Sequence, residues 1–135
     1  DLSRFNDRSF DKVAAIDFVE HVDDEQLAVI LKEAARVLVP GGRLVIYTPC
    51  ASHYVERLKA RNFILKQIPV HIAVRGPAAY RNALERNGFD VGALWYSPSD
   101  YPVFGLLDRV LAPLPAIGPF FRFRICIVAR RCASA

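Results

Sequence analysis

Residues 10–49 read FDKVAAIDFVEHVDDEQLAVILKEAARVLVPGGRLVIYTP, and this stretch decides the fold. A short apolar run at 13–16 is typical of a parallel strand buried on both faces, and a second run lies at 44–47. Between them, apolar residues recur at helical spacing over 24–38 with charged residues opposite, which predicts a surface helix of about four turns. Parallel strands require such a crossover. The stretch therefore predicts a strand–helix–strand unit of an α/β sheet.

Both ends of this helix are specified locally. Asp23 is the predicted N-cap, and Gln26 three residues later completes a capping box. The Pro-Gly-Gly sequence at 40–42 is expected to end the helix, because proline removes a backbone donor and glycine allows a positive φ. Ligands of such sheets lie beyond the carboxyl ends of the strands, which predicts a site at 17–21 and 48–53.

The chain resembles the class I S-adenosylmethionine-dependent methyltransferases of the small-molecule, type 11-like kind, in the region of their fourth and fifth strands. The motifs behind the likeness are FDKV at 10–13, EH at 20–21, E-x-x-RVLVPGG at 33–42 and TP at 48–49, extended by HI at 71–72 and NGF at 87–89. The likeness covers residues 1 to 91 well and the rest by topology. It implies the carboxyl-terminal half of a Rossmann-like methyltransferase sheet, with parallel strands, a final antiparallel strand and helices on the faces.

The resemblance also implies which residues contact the cofactor S-adenosylmethionine. Asp1 and Leu2 match positions beside the adenine, and Asp17 and Phe18 match groups that line the methionine side. The alternatives are a frayed terminus for the first pair and a strand-end or helix-capping carboxylate for Asp17. Methyl transfer from an activated sulfonium depends mainly on alignment of nucleophile, methyl carbon and sulfur, so positioning groups matter most.

His21 and His71 are the candidate catalytic bases, since imidazole titrates near neutral pH. A second hypothesis joins both histidines with Asp17 and Glu20 in a divalent-cation site, similar to an acidic-x-x-Glu-His pattern in some methyltransferases of this fold. A third gives His21 a structural role, in a hydrogen bond to the opening of the helix. We take the two histidines as the candidate catalytic residues and predict no metal ligand.

The 135 residues contain no strand followed by the glycine-rich turn that lets a backbone approach the cofactor, and no acid matching the one that holds the ribose. The chain also contains no methionine, so we interpret it as a truncated part of a longer methyltransferase, inactive or nearly so alone. The alternatives are a non-catalytic binding module derived from the fold and a membrane-associated lipid methyltransferase. Missing strands would expose a sheet edge and favour self-association.

Composition narrows the function classes. The net charge of +4 and pI near 9.2 permit an anionic partner, but only Arg57, Lys59, Arg61 and Lys66 cluster, in a predicted helix inserted at about 52–68, and the other basic residues are dispersed. They form no stripe interleaved with aromatic residues, which disfavours nucleic acid as the substrate. The three cysteines lack metal spacing and indicate reduced thiols in a cytoplasmic setting. A single domain acting on a small, hydrophobic molecule, with peripheral membrane contact as a further option, fits these features.

Further elements follow downstream. The patterns predict a helix that opens at Pro77, a strand over 89–95, a helix over 103–111 and a last strand over 123–129. Five prolines punctuate a very apolar insertion at 98–121. We favour its interpretation as core cover, with a lid over a hydrophobic substrate and a membrane-surface contact as alternatives. The prolines and the charged residues Asp108 and Arg109 interrupt it well before the length that a membrane span requires.

Overall fold

The computed structural model describes residues 2–61 and 72–133. Its elements, in chain order, are β1 (Phe10–Ile16), a first 3-10 turn (Val19–His21), α1 (Asp24–Val37), β2 (Leu38–Pro49), α2 (Tyr54–Ala60), α3 (Pro77–Arg86), β3 (Phe89–Ser97), α4 (Pro102–Leu111), a second 3-10 turn (Gly118–Phe121) and β4 (Arg124–Arg131). The helices and strands predicted from 77 onward are therefore present, with bounds shifted by one or two residues.

The described strands form one sheet in the order β1-β2-β4-β3. β1 and β2 are parallel, and β4 is antiparallel to both of its neighbours, as the expected closing strand should be. The amino end of β4 therefore meets the carboxyl ends of β2 and β3, so that Arg124 pairs with Pro49 and with Ser97. We call this side of the sheet, which also holds the end of β1, the carboxyl edge.

The core lies where α1 and α3 cover the sheet. α1 begins as predicted, because the Asp23 side chain accepts a hydrogen bond from the Gln26 amide at 2.8 Å and the Gln26 side chain accepts one from the Asp23 amide at 3.1 Å. The fully buried apolar side chains include Leu27, Leu31, Ala34, Tyr80, Leu84, Phe89, Ile125 and Ile127. Burial of this stripe, more than helix propensity, stabilises α1.

The Pro-Gly-Gly sequence does not end α1, and the prediction that it does is wrong. The helix ends at Val37, and Leu38 already has the extended backbone of β2. Residues 40–42 lie inside β2, where its pairing with β1 jumps from Leu38 to Arg43. Gly41 has a φ of +76°. The sequence therefore forms an irregularity within the strand, because two residues of β1 face a longer stretch of β2 there.

β1 is more exposed than its apolar sequence predicts. The expectation of a strand buried on both faces is wrong here, since the Ile16 side chain is 63% exposed. β1 is the outermost strand among those described, so one of its sides has no described neighbour. Of the predicted basic helix, α2 accounts for residues as far as Ala60, and 62–68 lie outside the described part of the chain.

Candidate functional site

The chain turns sharply at the carboxyl end of β1. Asp17 has a φ of +47°, a left-handed conformation that aspartate tolerates better than most side chains. Its amide donates to the Tyr47 carbonyl at 2.9 Å, and its carboxylate forms an ion pair with Arg124 at the start of β4. It caps no helix. The turn takes the chain off the sheet and leaves Phe18 at the rim, 44% exposed.

An apolar cleft of about 350 Å³ opens beside this turn. Leu2 and Phe18 both line it, although they were predicted as cofactor contacts from separate motifs. The remaining lining comes from β1, α1 and β2, and includes Val13, Ala14, Ala15, Val19, Val29, Ile30, Leu31, Ala34, Leu44 and Ile46. An apolar cleft with a few polar groups at its mouth is the usual form of a small-molecule site. Asp1, the other predicted adenine contact, lies outside the described residues.

Arg36 holds the segment that carries Leu2. Its guanidinium donates to the Leu2 carbonyl at 3.0 Å, to the Phe5 carbonyl at 2.9 Å and to the Asp7 carboxylate at 2.7 Å. It also binds Glu33 on α1, and this hydrogen bond lowers the pKa of the Glu33 carboxyl. The frayed-terminus alternative is therefore wrong for Leu2.

Glu20 and His21 lie in the first 3-10 turn, next to Asp17. The Glu20 carboxylate is buried and accepts a hydrogen bond from the Thr48 hydroxyl at 2.9 Å. Its other oxygen lies 3.9 Å from Nε2 of His21, whose side chain is one-third exposed. A buried carboxylate beside a partly exposed imidazole is an arrangement that can orient a general base.

Arg75 fixes the shape of this turn, and sequence reasoning missed it. The buried guanidinium donates to the carbonyls of Val19 and Val22, each at 2.8 Å, and to the Asp24 carboxylate at 2.8 Å. The Ala73 amide adds a hydrogen bond to the Glu20 carbonyl at 3.0 Å. In the sequence, the only distinguishing feature of Arg75 is its position directly before the glycine and proline at which α3 begins. The partners that tie it to the turn are more than 50 positions away, so no spacing in the sequence could reveal them.

A second buried pair lies at the same edge, between α2 and α4. Nε2 of His53 is 3.1 Å from the Asp108 carboxylate, and Nδ1 accepts a hydrogen bond from the Val55 amide, so Nε2 carries the proton. Burial lowers the pKa of His53, against the opposing effect of Asp108. Asp108 also accepts from the Ser99 amide at 2.8 Å. Both side chains are fully enclosed, so this pair connects elements and has no access to a substrate.

His71 lies outside the described residues, and so do any contacts it makes with His21. Within 2–61 and 72–133, no three histidine, cysteine or carboxylate side chains are grouped closely enough to hold a metal ion. The structure thus places Leu2 and Phe18 in the lining of one cleft, with Asp17, Glu20 and His21 close to Phe18 in the chain. The base role of both histidines stays a prediction.

Comparison with known proteins relates the first third of the chain to one protein family. Residues 1–46 match the family model described as a methyltransferase domain. Over 44 residues the chain is 46% identical to a "Probable tRNA methyltransferase 9B" from Bos taurus, and equally so to one from Homo sapiens. That alignment covers 32% of this chain and only 10% of the relative.

Solved structures match almost the whole chain. An S-adenosylmethionine-dependent methyltransferase from Archaeoglobus fulgidus aligns with a TM-score of 0.69 and 22% identity, over 96% of this chain and 63% of that one. A geranyl diphosphate C-methyltransferase from Streptomyces coelicolor, solved with Mg²⁺, geranyl diphosphate and S-adenosyl-L-homocysteine, aligns with a TM-score of 0.61 and 17% identity, over 96% and 49%. The chain thus spans about half to two thirds of these proteins. The expected Rossmann-like sheet is confirmed.

Proposed function

We propose that this chain lines the methyl-donor end and the acceptor side of a site for methyl transfer to a small molecule. The premise is that the chain is part of a class I S-adenosylmethionine-dependent methyltransferase. One observation carries the proposal. The residues that the family likeness assigns to the two ends of the cofactor, Leu2 and Phe18, line a single apolar cleft beside Asp17. The cleft runs along β1 and α1, and the end formed by Phe18 and Val19 lies at the carboxyl edge, where α/β sheets bind their ligands.

The lining of the cleft fits part of the cofactor. The apolar side chains of Leu2 and Phe18 suit the adenine ring and the thioether chain. Asp17 lies directly before Phe18 in the chain, and its carboxylate, which pairs with Arg124, suits a cationic amino group. When bound, S-adenosylmethionine supplies an activated methyl group. We propose that Asp1 and Leu2 hold its adenine end and that Asp17 and Phe18 hold its methionine end.

His21 is the proposed base among the described residues. Glu20, fixed by Thr48 and enclosed by the turn that Arg75 holds, lies beside the His21 imidazole, with 3.9 Å between its carboxylate and Nε2. His21 could then take a proton from an acceptor hydroxyl or amine. We assign His71 the same candidate role.

A small-molecule acceptor is favoured over RNA. The segment shared with the two probable tRNA methyltransferases represents a tenth of their length, so it carries no information on the acceptor. The surface next to the site, formed by α4 and the residues after it, is apolar rather than a basic stripe. This favours an acceptor with hydrophobic character.

The alternative, a non-catalytic binding module, is favoured by one feature of the sequence. Within the 135 residues no glycine-rich turn follows a strand, so the described cleft offers only part of a cofactor site. We therefore propose that the 135 residues alone are inactive, and that residues preceding Asp1 in the whole protein complete the site.

Calorimetric titration with S-adenosyl-L-homocysteine tests both proposals. We expect micromolar binding by the chain extended at its amino end and none by the 135 residues alone. Micromolar binding by the 135 residues would contradict the partial site, and no binding by the extended protein would favour the non-catalytic module. In the extended protein, His21→Gln should lower methyl transfer by about a hundredfold while leaving this affinity unchanged.

A further inference from the structure

An exposed apolar surface, the apolar segment (101–121), follows β3. Among the described residues, nine of the fifteen large apolar side chains that are exposed belong to it: Tyr101, Val103, Phe104, Leu106, Leu107, Val110, Leu114, Ile117 and Phe120. This contradicts the interpretation as core cover for the outer face of the segment. A contiguous apolar patch on a protein surface marks a site of contact with a partner or a membrane.

The orientation of α4 is fixed so that this face points outward. Gly105 and Asp108 are its buried residues. A Cβ on Gly105 would lie 2.3 Å from the Ser99 carbonyl oxygen, so the helix packs there through its backbone. Asp108 binds the Ser99 amide and His53. Because these contacts prevent rotation of the helix about its axis, the branched side chains on the opposite face remain in solvent.

The rest of the segment is fixed in the same way. A Cβ on Gly118 would lie 2.3 Å from the Ala112 carbonyl oxygen, so the second 3-10 turn packs closely against the end of α4. The Tyr54 ring contacts Phe104 and Phe121, with centroids 6.4 Å and 5.5 Å away, and attaches the segment to α2. The apolar surface is therefore a packed part of the domain.

The charges around this surface are positive. Asp108 and Arg109 are the only charged residues of the segment, and Asp108 is buried. The exposed Arg57 of α2 lies with its guanidinium 4.9 Å from the Phe120 ring centroid. Arg122 follows the segment directly. Asp100, which precedes the segment, is the exposed acid next to it in sequence.

We propose that the apolar segment docks on an anionic phospholipid surface, with Val103, Leu106 and Val110 in the acyl boundary and Arg57 and Arg109 at the headgroup phosphates. The charge pattern suits this occupant. A protein partner suits it less, because interfaces carry about one hydrogen bond per 100–200 Å² and the outward face of α4 offers Arg109 as its only polar side chain.

The geometry fits contact with the surface of a bilayer. In the described parts of the chain, no helix is long and apolar enough to cross a membrane. α4, with ten residues, is about 15 Å long and would lie in the plane of the interface. The segment belongs to the carboxyl edge, so docking would bring the site to a lipophilic acceptor. Docking itself requires no cofactor, so its failure and that of methyl transfer are distinguishable.

Vesicle co-sedimentation of the protein tests the proposal, with phosphatidylcholine vesicles and with vesicles that also contain phosphatidylserine. We expect binding to the anionic vesicles that weakens at high salt. Val110→Glu combined with Leu106→Glu should lower the bound-to-free ratio at least about tenfold. Arg109→Glu should lower it about fivefold on anionic vesicles only. Val29→Glu on α1 is the matched control, because Val29 and Val110 are each 61% exposed.

Three results would overturn the proposal. The first is no binding to either kind of vesicle by a folded protein, with folding checked by circular dichroism. The second is an equal loss of binding in Val29→Glu and in the α4 variant, which would mean non-specific adhesion. The third is a self-associated species in size-exclusion chromatography that Val110→Glu disperses while vesicle binding is absent, which would identify the surface as a contact between protein chains.

Discussion

α1 and α4 are both amphipathic, but they turn opposite faces to the protein. α1 buries Leu27 and Leu31 and exposes its charged residues, whereas α4 buries Gly105 and Asp108 and exposes its branched apolar side chains. The difference lies in what each helix packs against. α1 meets the apolar face of the sheet, while α4 meets the backbone at Ser99 and a buried histidine. An amphipathic pattern shows that a helix has two faces, and its partners decide which face is inside.

The two helices therefore have different uses. α1 covers the sheet and, with Arg36, holds the loop that carries Leu2 to the cleft. α4 keeps an apolar surface in solvent at the same edge, where hydrophobic burial could stabilise docking. Substitutions in α1 and in α4 can therefore test these two roles separately.

The same substitution in the two helices should have very different effects. Leu31→Ala leaves a cavity in the core and should lower the free energy of unfolding by about 3 kcal/mol. Leu106→Ala, in the exposed face of α4, should change it by less than about 0.5 kcal/mol. Urea unfolding measures both. Similar losses for the two variants would show that the apolar face of α4 is packed against protein.

Removing the buried carboxylate of α4 should lower the free energy of unfolding by less than the cavity in α1 does, but by a measurable amount. Asp108→Ala leaves the Ser99 amide and the His53 ring without their acceptor, which should destabilise the fold by about 2 kcal/mol. Asp100→Ala, on the exposed loop before α4, is the control and should be nearly neutral. Equal unfolding midpoints for the two variants would contradict the role of Asp108.

The His53 imidazole makes the α4 attachment sensitive to acid. Burial lowers its pKa, so the unfolded chain takes up the proton before the folded one as the pH falls. Its contribution to stability is complete above the ordinary histidine pKa of about 6.5 and is lost as the pH falls below that value toward the folded pKa. His53→Gln should flatten the dependence of unfolding midpoint on pH in this range. An unchanged slope in the variant would contradict the role of His53 in this pH dependence.

A substitution that relieves the left-handed backbone at Asp17 should raise the free energy of unfolding slightly, whereas the substitutions above lower it. Asp17→Gly relieves the positive φ and should stabilise the fold by up to about 1 kcal/mol, although the exposed ion pair with Arg124 is lost. Asp7→Gly, which leaves this turn unchanged, is the comparison. A clear loss of stability for Asp17→Gly would show that the carboxylate outweighs the strain.

The strand–helix–strand unit was predictable because its signals are local. The capping box of Asp23 and Gln26 and the apolar stripe of α1 each depend on residues within a few positions of one another. The final antiparallel strand was implied by the family likeness. Leu2 and Phe18 line one cleft, and their contact with the cofactor stays a prediction.

The other features depend on contacts between distant parts of the chain. The Arg75 guanidinium and the His53 to Asp108 pair join positions more than 50 residues apart, so no short pattern encodes them. The inward face of α4 could not be predicted either, because a leucine stripe normally faces the core. The Pro-Gly-Gly sequence was misassigned because its preference for ending helices is also compatible with an irregular strand.

The central claim is that the cleft at the end of β1 holds the methyl donor. Calorimetric titration of the amino-terminally extended protein with S-adenosyl-L-homocysteine tests it, using two phenylalanines of nearly equal exposure, 44% for Phe18 in the cleft and 45% for Phe104 on α4. We expect Phe18→Ala to weaken binding at least about tenfold, equivalent to about 1.4 kcal/mol, and Phe104→Ala to leave it unchanged. Equal affinities for the two variants, or a larger loss in Phe104→Ala, would contradict the assignment.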